Sequence, residues 1–96
     1  MSAKKDEIKN VYWVRVHEVM PNGTRPTIAK EVYEGVGSAM KKYNDWIAEY
    51  ESVKDKKLVV TITFIFQNAF YSVKEFHIWD NYECVVRDDL MKVERN

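Results

Sequence analysis

The chain has 96 residues, 46% of them hydrophobic and 31% charged, a balance that fits an ordinary globular protein and excludes a disordered one. Lys+Arg and Asp+Glu number 15 each, with eight basic and seven acidic side chains in residues 1–50 and seven and eight in residues 51–96. Neither half is therefore a ready-made phosphate-binding field or an acidic surface imitating DNA.

A chain of this length makes one domain that buries about 65% of the surface its unfolded form exposes. Residues 1–10 demand no burial and read as a flexible N-terminal segment, followed by a single α+β domain over 11–96. No apolar run of signal-peptide type follows the N-terminus, and the lone Cys84 cannot close an intramolecular disulfide, so the expected compartment is the cytoplasm. No stretch is long enough to span a bilayer as a helix, and no membrane partner is expected.

Residues 11–19, VYWVRVHEV, set Tyr12, Val14 and Val16 on one side and Trp13, Arg15 and His17 on the other, the period of a strand. Pro21-Asn22-Gly23 marks a tight reversal, because Asn and Gly tolerate positive φ. The chain returns through residues 27–34, TIAKEVYE, as a second strand that Pro26 confines to an edge. Val36, Met40, Tyr43, Ile47 and Tyr50 then recur at spacings of four, three, four and three, with Ala39 and Trp46 widening the stripe. This predicts a helix over 36–51 with Gly35 as N-cap.

Residues 58–67, LVVTITFIFQ, form the most apolar strand, with Leu58, Val60, Ile62, Phe64 and Phe66 on one face and Val59, Thr61, Thr63, Ile65 and Gln67 on the other. A turn at Asn68-Ala69 leads into a fourth strand, YSVKEFHIW, whose parity breaks between Val73 and Phe76 and predicts a bulge near Lys74-Glu75. Asp80-Asn81 offers a two-residue turn into YECVVR as a fifth strand, with Trp79 opposite Tyr82 and His77 opposite Cys84. A helix from Tyr82 through Val93 competes with that hairpin, and DDLMKVERN suits a short C-terminal helix. The expected fold is α+β: an antiparallel sheet of four to five strands in the order β-β-α-β-β(-β), with one long helix on one face.

A four-stranded sheet is about 19 Å wide and a helix about 10 Å across, so one helix shields half of one face and nothing of the other. The uncovered face carries Trp13, Val59, Ile65, Trp79, Tyr82 and Val86, with Arg15, His17, Thr61, Thr63 and His77 among them. That mixture has the composition of a contact surface, and self-association through it is expected.

Chemistry is weakly signalled. His17-Glu18 opens like a zinc-protease helix motif, but Pro21 stands where the second histidine belongs. His77, Asp80 and Cys84 are too few for a closed zinc site. Neighbours such as Asp88-Asp89 and Asp6-Glu7 point in different directions, so neither is a natural carboxylate dyad. Gly35-Val36-Gly37-Ser38 has the wrong continuation for a dinucleotide fingerprint. No catalytic, cofactor-binding or metal-binding set is predicted, and the protein is expected not to be an enzyme.

Residues 12–50, YWVRVHEVMPNGTRPTIAKEVYEGVGSAMKKYNDWIAEY, are similar in pattern to small sheet-plus-helix DNA readers. Such readers include the arm-binding domains of tyrosine recombinases and plant DNA-binding domains of the same build. The chain lacks the dense arginines those families place on the sheet. The resemblance implies nucleic-acid contact through Trp13, Arg15, His17, Arg25 and Lys30, opposed by Glu18, Glu31 and Glu34 in the same strands and by zero net charge. The favoured expectation is a small interaction protein, a regulator or inhibitor, that binds a protein partner or its own copy through Trp13, Arg15, His17, Ile65, Trp79 and Tyr82.

Overall fold

A computed structural model of the chain describes residues 11–87, 89 and 90. The strands are β1 (Val11–Glu18), β2 (Thr27–Tyr33), β3 (Leu58–Phe66), β4 (Ala69–His77) and β5 (Tyr82–Val85), and the helix is α1 (Val36–Tyr50). They form one five-stranded antiparallel sheet in the order β2-β1-β3-β4-β5. The apolar strand β3 takes the centre because only there do both of its faces leave water.

Register decides which side chains share a face, since directly paired residues point the same way. Tyr12, Val14 and Val16 of β1 pair with Phe64, Ile62 and Val60 of β3, which puts the even residues of LVVTITFIFQ on the helix side. All six belong to one core with Leu58, Val73, Ile78 and the helix residues Ala39, Tyr43 and Trp46. The buried line of α1 therefore runs through 39, 43 and 46, while Val36, Met40, Ile47 and Tyr50 sit at its margins. The small Ala39, with no exposed surface, lets the helix approach the sheet closely there. Gly35 stands at the N-cap position in extended conformation, as its place before the stripe suggests, and the helix ends at Tyr50 with Glu51 as C-cap.

Three local expectations are corrected. The β3–β4 reversal is made by Gln67 and Asn68, with φ of 51° and 66°, and Ala69 already pairs with Phe66. The bulge lies at Val73, one residue before the expected pair: Lys74 faces Ile62, Ser72 faces Thr63, and Val73 is the extra residue, turned fully into the core. At the second hairpin His77 pairs with Tyr82 and Glu75 with Cys84, so Trp79 does not face Tyr82 and His77 does not face Cys84. The cause is Ile78. Buried, with its amide bonded to the Leu58 carbonyl at 2.9 Å, it holds the chain in the sheet before the reversal, which is completed by Asn81 at φ 54°.

Residues 82–85 are strand, as the hairpin reading requires, but the strand stops at Val85. The Val86 and Arg87 amides both bond the Val73 carbonyl, at 2.8 and 2.9 Å. Leu90 then packs against the core, where its carbonyl accepts a bond from the Tyr12 hydroxyl at 3.3 Å. The expected N-terminal segment 1–10, and the C-terminal helix apart from residues 89 and 90, lie outside the described residues. Among the described residues no helix is long and apolar enough to cross a membrane.

Ile62, fully buried between the sheet and α1, sets the scale of this core. Ile62→Ala is expected to lower the unfolding free energy by about 2–5 kcal/mol. Val85→Ala, at a half-exposed position, is expected to change it by less than about 0.5 kcal/mol. Urea denaturation followed by circular dichroism checks both.

Candidate functional site

The face away from α1 is built from the other parity of every strand. Trp13, Arg15 and His17 of β1 pair with Thr63, Thr61 and Val59 of β3, and these three with Ser72, Glu75 and His77 of β4. Val32 and Lys30 of β2 extend the face on one side, and Tyr82 and Cys84 of β5 on the other. Its apolar groups lie around the outside. Phe70 and Tyr82 are 58% and 56% exposed, and Val32 is half exposed.

Polar groups occupy the middle and are joined into a network. The His17 Nδ1–H donates to the Arg25 carbonyl at 3.2 Å, with Thr27 Oγ1 at the same distance, and Nε2 accepts from the Thr61 hydroxyl at 3.1 Å. Arg25 Nη1 donates to Glu75 Oε1 at 2.9 Å, and the other carboxylate oxygen of Glu75 takes His77 Nε2 at 2.9 Å. Arg15 Nη2 donates to Thr63 Oγ1 at 3.2 Å, while Arg15 Nε is buried with no acceptor. Between these groups lies a cavity of about 200 Å³, lined among others by Arg15, His17, Arg25, Thr61, Thr63 and Ser72.

Burial sets the protonation of this cluster. It lowers the pKa of Arg15, whose charge is nonetheless retained. Burial, reinforced by the field of Arg15, holds the His17 imidazole below its ordinary range and therefore neutral near pH 7. Burial would raise Glu75, but hydrogen bonds from His77 and Arg25 outweigh it and keep the carboxyl below its usual value.

Aromatic rings frame the network. Trp13 meets Phe70 edge-on at 5.1 Å and carries the Lys30 ammonium 3.6 Å above its ring. Trp79 stacks on His77 at 4.8 Å and 6°, with Lys57 5.7 Å from its ring, and Tyr82 leans on His77 at 5.8 Å. All six residues expected to make contact, Trp13, Arg15, His17, Ile65, Trp79 and Tyr82, thus belong to this face, with Ile65 at its end between Val11 and Phe70. Glu75, Ser72 and Phe70 were not singled out from sequence. Their shared face depends on the Val73 bulge, which switches parity midway along β4.

Charges separate between the two faces. Glu18 and Glu31 pair with Leu58 and Val14, on the helix side. Glu83 and Lys74 are there too: Glu83 accepts a bond from the Tyr43 hydroxyl at 3.0 Å, and the Lys74 ammonium lies 3.6 Å from Glu83 and 5.5 Å from the Tyr43 ring. Burial, that hydrogen bond and the field of Glu83 push the Tyr43 phenol well above its ordinary pKa. Arg15, Lys30, Arg25 and Lys57 stand on or beside the open face, opposed there by Glu75. His77, Asp80 and Cys84 are not brought together across the hairpin, because Cys84 pairs with Glu75 and His77 is engaged by the Glu75 carboxylate. No family model, curated protein or solved structure matches the chain.

The neutral His17 gives a pH dependence of definite sign. The unfolded chain binds a proton near pH 6.5 and the folded chain only below that, so acid favours unfolding. The contribution is complete above about pH 6.5 and is lost as pH falls through the folded pKa. An NMR titration of the His17 ring is expected to give a midpoint below 6.5.

Proposed function

We propose that the protein is a non-enzymatic binding module whose open sheet face docks an acidic segment of a partner protein. What supports this reading is the separation of charge. Arg15, Arg25, Lys30 and Lys57 gather on or beside a face framed by the exposed rings of Phe70 and Tyr82, while Glu18, Glu31 and Glu83 turn to the other side. A chain neutral as a whole thereby presents a positive field where its uncovered aromatic side chains are. Docking a second copy through the same face would set these cations against their own images, a like-charge juxtaposition that costs affinity. An acidic partner suits the face better than self-association does.

The same separation favours a second reading, single-stranded nucleic acid, because Glu18 and Glu31, which opposed it in sequence, do not share the face. Titration of the labelled protein with polyglutamate and with an oligothymidylate distinguishes the two. Polyglutamate is expected to shift the resonances of Trp13, Arg15, His17, Ile65, Trp79 and Tyr82. Tighter binding of the oligothymidylate, with a steep loss of affinity as salt rises, would favour nucleic acid. Shifts confined to α1 would remove the face from consideration. Trp79→Ala is expected to weaken docking by about 2 kcal/mol or more if the ring is an anchor, with folding intact by circular dichroism. Sedimentation velocity at low salt is expected to show a monomer. A dimer that protects Trp13 and Tyr82 would replace the acidic partner with a second copy.

A further inference from the structure

The cavity at the middle of the open face is lined by Arg15, Arg25, Thr63 and Ser72 together with the Glu75 carboxylate, and of its two guanidiniums only Arg15 has no carboxylate partner. Arg15 spends Nη2 on Thr63, its Nε is buried without an acceptor, and no carboxylate among the described residues lies within ion-pair distance of it. The nearby carboxylate of Glu75 is already committed through both oxygens, to Arg25 and to His77. Lys74, though its residue lines the cavity, sends its ammonium to the other face beside Glu83. A partly buried guanidinium with an idle N–H and no counter-charge is costly. The buried Nε is closed to water, and neither water in the cavity nor the Trp13 ring, 5.2 Å from the guanidinium carbon, supplies a negative charge.

We propose that this cavity is an oxyanion site that takes a phosphate or carboxylate group, with the Arg15 guanidinium as its main anchor. The two Nη groups of a guanidinium form a planar fork that matches two oxygens of such a group, and Thr63 uses only one of their four N–H bonds in Arg15. The hydroxyls of Thr63 and Ser72, on the same cavity wall, supply donors for the remaining oxygens, while that of Thr61 is spent on His17 Nε2. The volume of about 200 Å³ corresponds to roughly six waters, enough for one phosphate group with its nearest water and too little for a nucleobase or a large cofactor. Arg25, neutralised by Glu75, contributes position more than charge. The inference rests on the proposed binding reading only in using the same face, where the site would grip an acidic side chain or a phosphate terminus.

The test follows the Arg15 Nε–Hε resonance of the full chain during titration with inorganic phosphate and, separately, with acetate. A saturable shift of that resonance with either ion is expected, stronger for phosphate if a doubly charged group is preferred and for acetate if the site is shaped for a carboxylate. Arg15→Lys keeps the charge but removes the fork, and is expected to weaken binding by about tenfold. Thr63→Val is expected to weaken it several-fold. Lys41→Ala, at an exposed cation on α1 that pairs with Asp45 and lies outside the open face, is expected to leave it unchanged. An Arg15 resonance unmoved by both ions, or equal losses from Lys41→Ala and Arg15→Lys, overturns the site. Ion binding at Arg15 without polyglutamate docking preserves the site and sinks the docking reading. Docking that leaves the Arg15 resonance unmoved does the reverse.

Discussion

Strand β3 lies between β1 and β4, and its two faces must leave water among different neighbours. On one side Leu58, Val60, Ile62 and Phe64 meet a helix, and the hydrophobic effect alone is sufficient. On the other, Val59 and Thr63 are buried with no helix above them. Their cover comes from longer side chains of adjacent strands, among them His17, Arg15 and the Trp13–Phe70 pair. Long polar side chains can lie over a sheet in this way while their heads bond one another. The candidate site is thus the second cover of the central strand, and its polarity follows from being made of side chains that also touch water.

That origin explains the inverted layout of the face. A protein-docking surface ordinarily has an apolar centre and a polar rim. Here the charged groups are central, and Phe70, Tyr82 and Val32 are outside. The hydrogen bonds that tie His17 to Thr61, Thr27 and the Arg25 carbonyl fix the loop before β2 over the sheet. The Arg25–Glu75–His77 chain fastens the same loop to β4. A rigid polar centre of this kind supplies orientation, and the surrounding rings supply area.

Much of this was legible in the residues. Alternation over 11–19 and 58–66 fixed both strands and their faces, because a period of two leaves no freedom once one face is buried. The helix was visible in its stripe, though its buried centre shifted to Ala39, Tyr43 and Trp46, since closeness of approach depends on side-chain size as well as spacing. Hairpin details were less accessible. How long the chain stays in the sheet past His77 depends on Ile78 finding a place in the core. The pairing of Arg25 with Glu75, fifty positions apart, needs the whole sheet order before it can be inferred.

The Val73 bulge also bears on the borders of the sheet. With the Val86 and Arg87 amides both drawn to its carbonyl, the regular ladder stops after four residues of β5, so that edge is too short to template another strand. The opposite edge, β2, begins after a proline and carries Lys30 and Glu31. Neither border invites the open-ended stacking from which fibrils grow, and association is left to the broad face of the sheet.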